Sequence, residues 1–420
     1  MAMARRLLMV AGGGGSFSTI QGSTLEPFIL TASPEGGWSW FGDPRAFYHD
    51  GKTYFAYISG EGHPMAAEYV HATELTSTPA RLYPAAAFEV DDHDNPAILR
   101  RASDGKLVTA YTVHVGDPYV NVSTNADDAT TWDGPTNLSA SLGTYFTYGR
   151  LYQLTGEAND PIYLFMRQHP GGIDPAELVY AKSTDDGVTW TGPTRVCVVV
   201  YHKIAQVGDR LHFLISDHPL YEGFTSIYHM YYEGGSWYKS DGTEITASQP
   251  FAQTAATLVY DGSTERGWIW DIAVEPVTGF PVAVYIVYEE TYPSGAWRYE
   301  YARWNGSAWE NHLVADAGSS IYSPPGDNDY AGGIVLDHSD PSIVYYSTNA
   351  VSGNWEIYRA STDDDGVTWN ATAITADEGN VKNIRPVSVR DHAADLQVLW
   401  MRGTYLGYTD WSTGTSGAGL

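Results

Sequence analysis

The stretch Ser183–Trp190, with the sequence STDDGVTW, recurs almost unchanged as STDDDGVTW at residues 361–369. A decayed copy, NADDATTW, ends at Trp132. In the two complete copies the Asp can accept hydrogen bonds from turn amides, the Gly can adopt a positive φ, and the Trp can pack between neighbouring sheets. The repeat therefore predicts the same β-hairpin, known as an Asp box, at several places along the chain.

The regions around these hairpins are predicted to be all-β. Short apolar and aromatic runs alternate with turns from about Thr24 onward, and no segment shows helical periodicity over a dozen residues. The 420 residues include 43 Gly, 31 Tyr and 14 Trp, a composition typical of many turns and half-exposed aromatic faces. Blades of four strands need about 40–50 residues plus loops. The tryptophans that mark hairpins lie 47–72 residues apart, at Trp132, Trp190, Trp237, Trp309 and Trp369.

We therefore predict a single β-propeller at residues 26–420, built from seven four-stranded antiparallel blades, with six blades as the alternative. Residues 1–25 are predicted to form a flexible glycine-rich arm, because the short apolar run LLMVA is followed at once by GGGG. That run is shorter than the apolar region of a secretory signal, and no segment is long enough to span a bilayer. Such an arm is typical of particle-assembled proteins. We expect it to contact a particle or other copies, and the protein to be extracellular or on a particle surface.

The net charge of −27 argues against binding nucleic acid or anionic membranes. It also disfavours an anionic polysaccharide, unless the cleft is locally positive or salt shortens the Debye length below about 10 Å. The single cysteine, Cys197, lies in the apolar run RVCVVV and is predicted to be a small buried core residue. With no second cysteine, an intrachain disulfide is excluded.

Two histidines flank a predicted hairpin in DDHDNPAILRRASDGKLVTAYTVH, which spans Asp91–His114. The turn Ser103–Lys106 separates two apolar runs that read as antiparallel strands. His93 precedes the first strand and His114 follows the second. Because the outer ends of an antiparallel hairpin are neighbours, we expect these histidines to meet at one rim of a sheet. Together with the surrounding acids they are candidates for proton chemistry or sugar binding.

The same segment resembles the one that carries the two active-site histidines in the BNR-repeat polysaccharide lyases, of which the ulvan lyases are the best known. The resemblance extends from about Gly36 to Trp411 and implies a seven-bladed propeller that cleaves uronate-containing glycans by β-elimination. Its other motifs occur in the expected order, at Gly36–Ser59, Ser216–Tyr232, Gly332–Thr348 and the closing stretch NIRPVSV to LQVLWMRGTYLGYTDW.

The resemblance implies that His93 and His114 are the catalytic pair, one as the base and the other to position or protonate. Tyr148 falls where the family has an active-face tyrosine that can serve as acid or base, with a core or rim role as the alternative. Lys203 stands where the family has the arginine that neutralises the substrate carboxylate. A lysine keeps the charge but lacks the bidentate fork, which puts both substrate preference and activity in question.

Other polar residues are predicted to bind substrate or a metal. Arg45 is expected to form a structural salt bridge in preference to a substrate contact, and Arg167 and Arg385 are similar cases. No cofactor is required, but some members of the resembled family hold a structural metal, so a zinc or calcium ion is considered, with packed histidines as the alternative. The substrate-binding candidates are Asn95, Arg45, His202 and Gln206, and the metal-ligand candidates are His212, Asp217, His218 and His229.

Three functions follow as hypotheses. The leading one is a lyase that acts on an acidic, uronate-containing glycan, with or without sulfate, such as ulvan. The second is a non-catalytic glycan- or receptor-binding propeller on a virion or other particle, which the arm and Lys203 favour. The third, sialidase-type hydrolysis, needs a cluster of arginines around a carboxylate, and the expected arginine motif near the amino end is absent from the sequence.

Overall fold

Strands account for nearly all the regular structure of the chain. The computed structural model describes residues 28–29, 36–84, 88–219, 225–289, 297–322, 330–377 and 379–419. The arm predicted at residues 1–25 lies outside these ranges. Within them, no helix is long and apolar enough to cross a membrane. The helical elements are the α-helix α1 (Ser139–Leu142) and three 3-10 turns at Asp92–Asp94, Pro170–Gly172 and Gln253–Ala255.

The strands of the described residues are numbered in chain order. The first half comprises β1 (Phe28–Ile29), β2 (Gly36–Gly37), β3 (Ala46–His49), β4 (Lys52–Ser59), β5 (Pro64–Val70), β6 (Leu75–Thr76), β7 (Ala80–Arg81), β8 (Ala97–Arg100), β9 (Lys106–Thr112), β10 (Pro118–Ala126), β11 (Thr136–Asn137), β12 (Phe146–Gln153), β13 (Ile162–Gln168), β14 (Glu177–Ser183), β15 (Thr191–Val198) and β16 (Tyr201–Val207). The second half comprises β17 (Arg210–Ser216), β18 (Ile227–Glu233), β19 (Ser236–Lys239), β20 (Phe251–Ala252), β21 (Thr257–Tyr260), β22 (Arg266–Val274), β23 (Pro281–Tyr288), β24 (Trp297–Trp304), β25 (Trp309–Asp316), β26 (Ile334–Leu336), β27 (Ile343–Thr348), β28 (Glu356–Ser361), β29 (Asn370–Ala373), β30 (Lys382–Ala393), β31 (Leu396–Gly407) and β32 (Asp410–Ala418).

These strands form sheets in which consecutive strands are antiparallel neighbours. Three sheets are four-stranded runs, β8 to β11, β22 to β25 and β26 to β29, and two are similar runs, β12 to β15 and β16 to β19, that gain β20 and β21 respectively. The remaining ten-stranded sheet joins the run β3 to β6 to the run β30 to β32 through one parallel contact, Phe47 beside Arg390. In that sheet β1 pairs with β32, so the first and last described strands are hydrogen-bonded neighbours. The all-β prediction is confirmed, while a closed ring and its number of blades stay predictions.

The repeated turn motif adopts the predicted hairpin. The amide of Thr189 donates to Asp185 Oδ1 at 2.8 Å, and the indole of Trp190 donates to the Gly187 carbonyl at 3.0 Å. Gly187 has a φ of 84°, a conformation that a side chain would strain. The second copy makes the same contacts through Thr368, Asp364, Trp369 and Gly366.

Burial decreases from the first strand to the last strand of each sheet. Every residue of β12 and nearly every residue of β22 is buried, whereas β11 and half of β25 are exposed. The first strands therefore lie at the centre of the molecule. Apolar clusters fill the space between sheets, and Cys197 is buried in one of them, as predicted.

The segment between β2 and β3 packs onto these central strands. Trp40 stacks on Trp270 with ring centroids 4.4 Å apart, and Phe41 stacks on Tyr201 at 4.4 Å. All four side chains are at most 5% exposed. Aromatic rings bury a large apolar area each, so this segment anchors the loops that hold the site described next.

Candidate functional site

The predicted hairpin forms and brings its two histidines together. Strands β8 and β9 pair in antiparallel register from Ala97 opposite Ala110. Asp91 caps the short 3-10 turn that carries His93, and its Oδ1 accepts the His93 amide at 2.9 Å. The rings of His93 and His114 stack with centroids 4.1 Å apart and an interplanar angle of 5°.

One carboxylate holds both rings. Asp91 Oδ1 lies 2.5 Å from His93 Nδ1, and Asp91 Oδ2 lies 3.0 Å from His114 Nδ1. Burial alone would raise the pKa of Asp91, but the two histidines hold it below its usual value. With both Nδ1 atoms engaged, Nε2 is the nitrogen that each imidazole has available for other chemistry.

The stacked pair holds at most one positive charge, because two imidazolium rings in face-to-face contact would repel each other. Burial and the neighbouring His93 lower the pKa of His114, so His114 is the ring that stays neutral. It is also the more accessible of the two, with 27% of its side chain exposed against 10% for His93. The arrangement therefore presents an imidazole whose neutral form is favoured, beside a second imidazole in short contact with a carboxylate.

Tyr148 lies against this pair. Its ring centroid is 5.4 Å from that of His93. A register shift between Thr147 and Arg150 interrupts the pairing of β12, and there Tyr148 has a φ of 62°. Such a conformation is costly for a residue other than glycine and is often found at functional sites. Burial raises the pKa of Tyr148 well above its ordinary value, so its hydroxyl remains protonated and can donate.

Arg167 supplies a cation to the same site. Its guanidinium carbon lies 4.6 Å from the centre of the Tyr148 ring and 5.4 Å from that of Tyr201. Its Nε is buried without a hydrogen-bond partner among the described residues. Arg167 also contributes to the lowered pKa of His114 and of His169, which places it within electrostatic reach of both rings.

Tyr408 and His169 complete the rim. Tyr408, in the turn between β31 and β32, meets His93 and His114 edge-on at centroid distances of 5.3 and 6.3 Å. His169 lies 3.2 Å from the Asp174 carboxylate. Burial and then Arg167 lower the pKa of His169. A third imidazole and an exposed aromatic edge therefore border the histidine pair.

A buried ion pair holds the turn that carries His93 in place. Arg385 Nη1 donates to Asp92 Oδ2 at 2.5 Å, and its Nη2 donates to the Tyr405 hydroxyl at 2.6 Å. Arg385 also has a positive φ, of 53°. Both members of the pair are at most 1% exposed, so Arg385 has the structural role that we expected for it.

Lys203 does not join the histidines. It is 3% exposed and forms an ion pair with Asp43, over the ring of Phe41. The expected convergence of an ammonium with the histidine pair is therefore not observed. The reason is that the first residues of β16 face the buried centre, where Asp43 from the segment before β3 meets them. Arg167, and not Lys203, is the cation that lies beside Tyr148.

The predicted substrate-binding residues are engaged by protein groups, and Asn95 ends the same 3-10 turn that carries His93. Arg45 is buried and donates to the Ser39 and Gly42 carbonyls, and Asn95 accepts the Ser39 amide at 3.1 Å. His202 accepts from Arg150 Nη1 at 2.6 Å, and burial with Arg150 lowers its pKa well below the ordinary value. Gln206 Nε2 donates to the carbonyls of Gln153 and Gly208.

The four predicted metal ligands do not form one cluster. His212 and His229 are hydrogen-bonded to each other at 3.0 Å, but His218 packs against the Trp268 ring and Asp217 accepts from Gln253. His212 and His229 face each other on β17 and β18, whereas Asp217 and His218 follow the end of β17 and meet other groups there. Among the described residues, the one group with metal-ligand spacing is Asp91, His93 and His114, whose ligand atoms lie within 4.8 Å of one another.

Sequence reasoning missed the roles of several side chains at this site. The adjacent acids in DDHDNP are a signal for Asp91, since a histidine near a carboxylate commonly pairs with it. Arg167 lies opposite Thr147 in the pairing of β12 with β13, which a correct strand register would have revealed. Tyr408 and His169 have no local signal, because their turns approach the site only in the folded chain.

Comparison with known proteins gives a consistent picture. Residues 52–317 match the family model for BNR repeat-containing family members. A solved ulvan lyase of polysaccharide lyase family PL25, bound to -[GlcA(1-4)Rha3S]-, superposes with a TM-score of 0.73 at 18% identity, over 94% of this chain and 96% of that one. A second solved structure of a PL25 ulvan lyase gives a TM-score of 0.72 at 18% identity, with the same coverage of both chains.

More distant matches carry less information. An α-L-arabinanase from Penicillium chrysogenum with bound arabinobiose has a TM-score of 0.45 at 12% identity, over 77% of this chain and 92% of that one. The search of curated proteins finds no match. The ulvan lyase likeness shows that the two proteins share a fold, and because the family model covers well over half of the sequence, this chain belongs to the BNR repeat-containing family.

Proposed function

We propose that the protein is a polysaccharide lyase that cleaves a uronate-containing, sulfated glycan of the ulvan type by β-elimination. The observation that carries the proposal is the stacked His93–His114 pair on the single carboxylate of Asp91, with Tyr148 and Arg167 beside it. In this reaction a base removes the proton alpha to the uronate carboxylate, an acid protonates the leaving oxygen, and a cation stabilises the enediolate.

The base in this scheme is His114. Its lowered pKa keeps the ring neutral near pH 7, and it is the more accessible of the two histidines. Asp91 holds Nδ1, so the lone pair on Nε2 accepts the substrate proton, and Asp91 then stabilises the imidazolium that forms. His93 makes the shorter contact with Asp91, so this carboxylate fixes the orientation of both rings. General acid–base catalysis of this kind contributes about 10²–10⁴-fold.

Arg167 takes the role that was expected of Lys203. A guanidinium can pair with the uronate carboxylate in a bidentate manner and withdraw charge as the enediolate develops. The neutral hydroxyl of Tyr148, under that guanidinium, is the donor to the leaving oxygen. The Arg167 guanidinium also supplies a positive charge for an anionic glycan on a chain whose net charge is −27.

Exposed aromatic rings at the rim suit sugar binding. Tyr408 is 36% and Tyr145 is 40% exposed, and Tyr145 flanks Gly172 in the loop that follows His169. Sugar rings stack readily on such faces. The solved ulvan lyase is bound to -[GlcA(1-4)Rha3S]-, and the proposal extends an acidic repeat of this class to the present chain.

A non-catalytic glycan-binding propeller is the second candidate. Tyr148 is 2% and Arg167 is 5% exposed, so a substrate must displace neighbouring side chains to reach them, and a binder would not need this.

We also propose that the four-stranded runs are seven blades of one propeller, with the run β30 to β32 completed by β1 as one of them. A location outside the cell or on a particle surface fits either candidate.

The test is a near-ultraviolet absorbance assay with ulvan and with uronate-free polysaccharides as substrates. A lyase generates an unsaturated uronate that absorbs in this range, a hydrolase generates reducing ends without the absorbance, and a binder generates neither. His114→Ala should abolish the signal, and His71→Ala, which removes a histidine paired with Asp395 elsewhere, should leave it unchanged. Activity that survives His114→Ala would overturn the site assignment.

A further inference from the structure

A second cluster of charged side chains lines a partly enclosed cavity of about 20 Å³ among the first strands. Three of its cations are Arg45, Lys203 and Arg390, and its acids are Asp43 and Asp271. This cluster is separate from the histidine pair, and the proposed elimination does not use it. Its composition indicates what occupies the cavity.

The cations outnumber the acids that neutralise them. Asp43 serves two cations, since Lys203 pairs with one of its oxygens and Arg45 Nη2 lies 3.9 Å from the other. Asp271 Oδ2 accepts the Leu336 amide at 3.1 Å and faces His338 Nε2 at 2.9 Å. Among the described residues Arg390 has neither a hydrogen bond nor an ion pair through its guanidinium. One positive charge at the cavity therefore lacks a counter-charge.

The unsatisfied buried atoms of the lining are donors. Arg45 Nε, Trp40 Nε1 and Ser388 Oγ are all buried and have no hydrogen-bond partner among the described residues. Buried N–H and O–H groups are seldom left unpaired in folded proteins. An anion would accept hydrogen bonds from such groups and would also offset positive charge, which a water molecule does not do.

The size of the cavity limits the occupant. A cavity needs about 10–15 Å³ to hold one water molecule, so one of about 20 Å³ has room for a single small occupant such as a monatomic ion. From the excess positive charge, the unpaired buried donors and the small volume, we infer that the central cavity binds a halide ion, chloride under physiological conditions.

The ion would enter at the end of the strands remote from the histidines. Arg390 is half-buried and lies five residues after Arg385 on β30, and Arg385 supports the histidine-bearing turn. At a rise of roughly 3.3 Å per residue, those five residues place Arg390 roughly 15 Å further along the strand. Trp40 and Phe41 pack across the centre of the molecule, between the histidine-bearing turn and Arg390. Halide binding is therefore independent of whether the protein cleaves glycans.

Thermal unfolding of the full chain in sodium chloride and in sodium gluconate, at matched ionic strength, tests the proposal. Above the dissociation constant, each tenfold increase in chloride should raise the midpoint by about 1–2 °C relative to gluconate. Bromide should act in the same way. Crystals grown in bromide should then show an anomalous-scattering peak in the cavity, beside Arg390 and Ser388.

Two variants distinguish a specific site from a general salt effect. Arg390→Gln should remove the chloride-specific increment. Arg402→Gln should retain it, since Arg402 is a half-buried arginine on the neighbouring strand β31 that pairs with Asp377. A cavity without anomalous signal in bromide would overturn the proposal. So would equal midpoints in chloride and gluconate, or an increment that persists in Arg390→Gln.

Discussion

The protein contains two pairs of adjacent histidines with opposite properties. His93 and His114 stack at 4.1 Å on a shared carboxylate and are partly accessible. His212 and His229 lie 5.2 Å apart, hydrogen-bond to each other and are at most 2% exposed. Burial lowers the pKa of His212 to about 3 and that of His229 well below its ordinary value. A carboxylate and solvent access, more than proximity, distinguish a pair suited to proton transfer from one that packs.

The largest expected effect comes from removing the carboxylate of the first pair. Asp91→Asn keeps the shape of the side chain but allows the wrong imidazole tautomers, so the elimination rate should fall by about 10²–10⁴-fold. The rate of uronate absorbance under saturating substrate measures it. Asp337→Asn is the matched control, since Asp337 holds His392 at 3.0 Å elsewhere, and it should leave the rate unaltered. A full rate in Asp91→Asn would remove the distinction between the pairs.

Truncating the second pair should affect stability and spare the chemistry. His229→Ala leaves a cavity and an unpaired His212 in the core, and should lower the free energy of unfolding by about 2–4 kcal/mol. Urea titration measures this loss. Elimination by the folded fraction should remain within about twofold of wild type. A large catalytic defect in fully folded His229→Ala would show that this pair also takes part in the reaction.

Arg167 offers a sharper test of the first pair's surroundings. Arg167→Gln should lower kcat/KM for a uronate substrate by roughly 10- to 100-fold, because a charge-assisted hydrogen bond to the carboxylate contributes about 1.5–3 kcal/mol. Arg210→Gln is matched to it, since Arg210 also lies over a tyrosine ring, that of Tyr231, at 4.5 Å. Equal kcat/KM values in the two variants would contradict the role of Arg167.

The last expected effect is a change in the pH dependence of stability. Because the folded-state pKa of His212 is lowered to about 3, the unfolded chain binds this proton first as the pH falls. The stability from a neutral His212 is complete above pH 6.5 and is lost between pH 6.5 and about 3, by up to about 1.4 kcal/mol per unit. His212→Gln should therefore show a shallower decline of stability from pH 6.5 to 4 than wild type, in urea titrations. An unchanged slope would mean that His212 is not buried in its neutral form.

The sequence predicted those features of the fold that depend on residues close together in the chain. The repeated turns and the β8–β9 hairpin follow from residues a few positions apart, so the meeting of His93 and His114 was foreseeable. The partner of Lys203 was not, because Asp43 is 160 positions away and reaches it only when distant strands meet at the centre. Arg167 reaches the Tyr148 ring through a register shift in β12, and such shifts have no reliable sequence signal. The parts of the site that sequence reasoning missed are those built by long-range contacts.

The pairing of β1 with β32 has a practical consequence for anyone who shortens or fuses the protein. Ile29 and Phe28 sit opposite Ser416 and Gly417, so deleting residues up to 30 would uncover that end of a nine-residue outer strand. An uncovered strand edge has unpaired N–H and C=O groups that can pair with a strand of another chain. Truncated preparations should accordingly self-associate, and a tag is better carried on a linker that leaves this short strand in place.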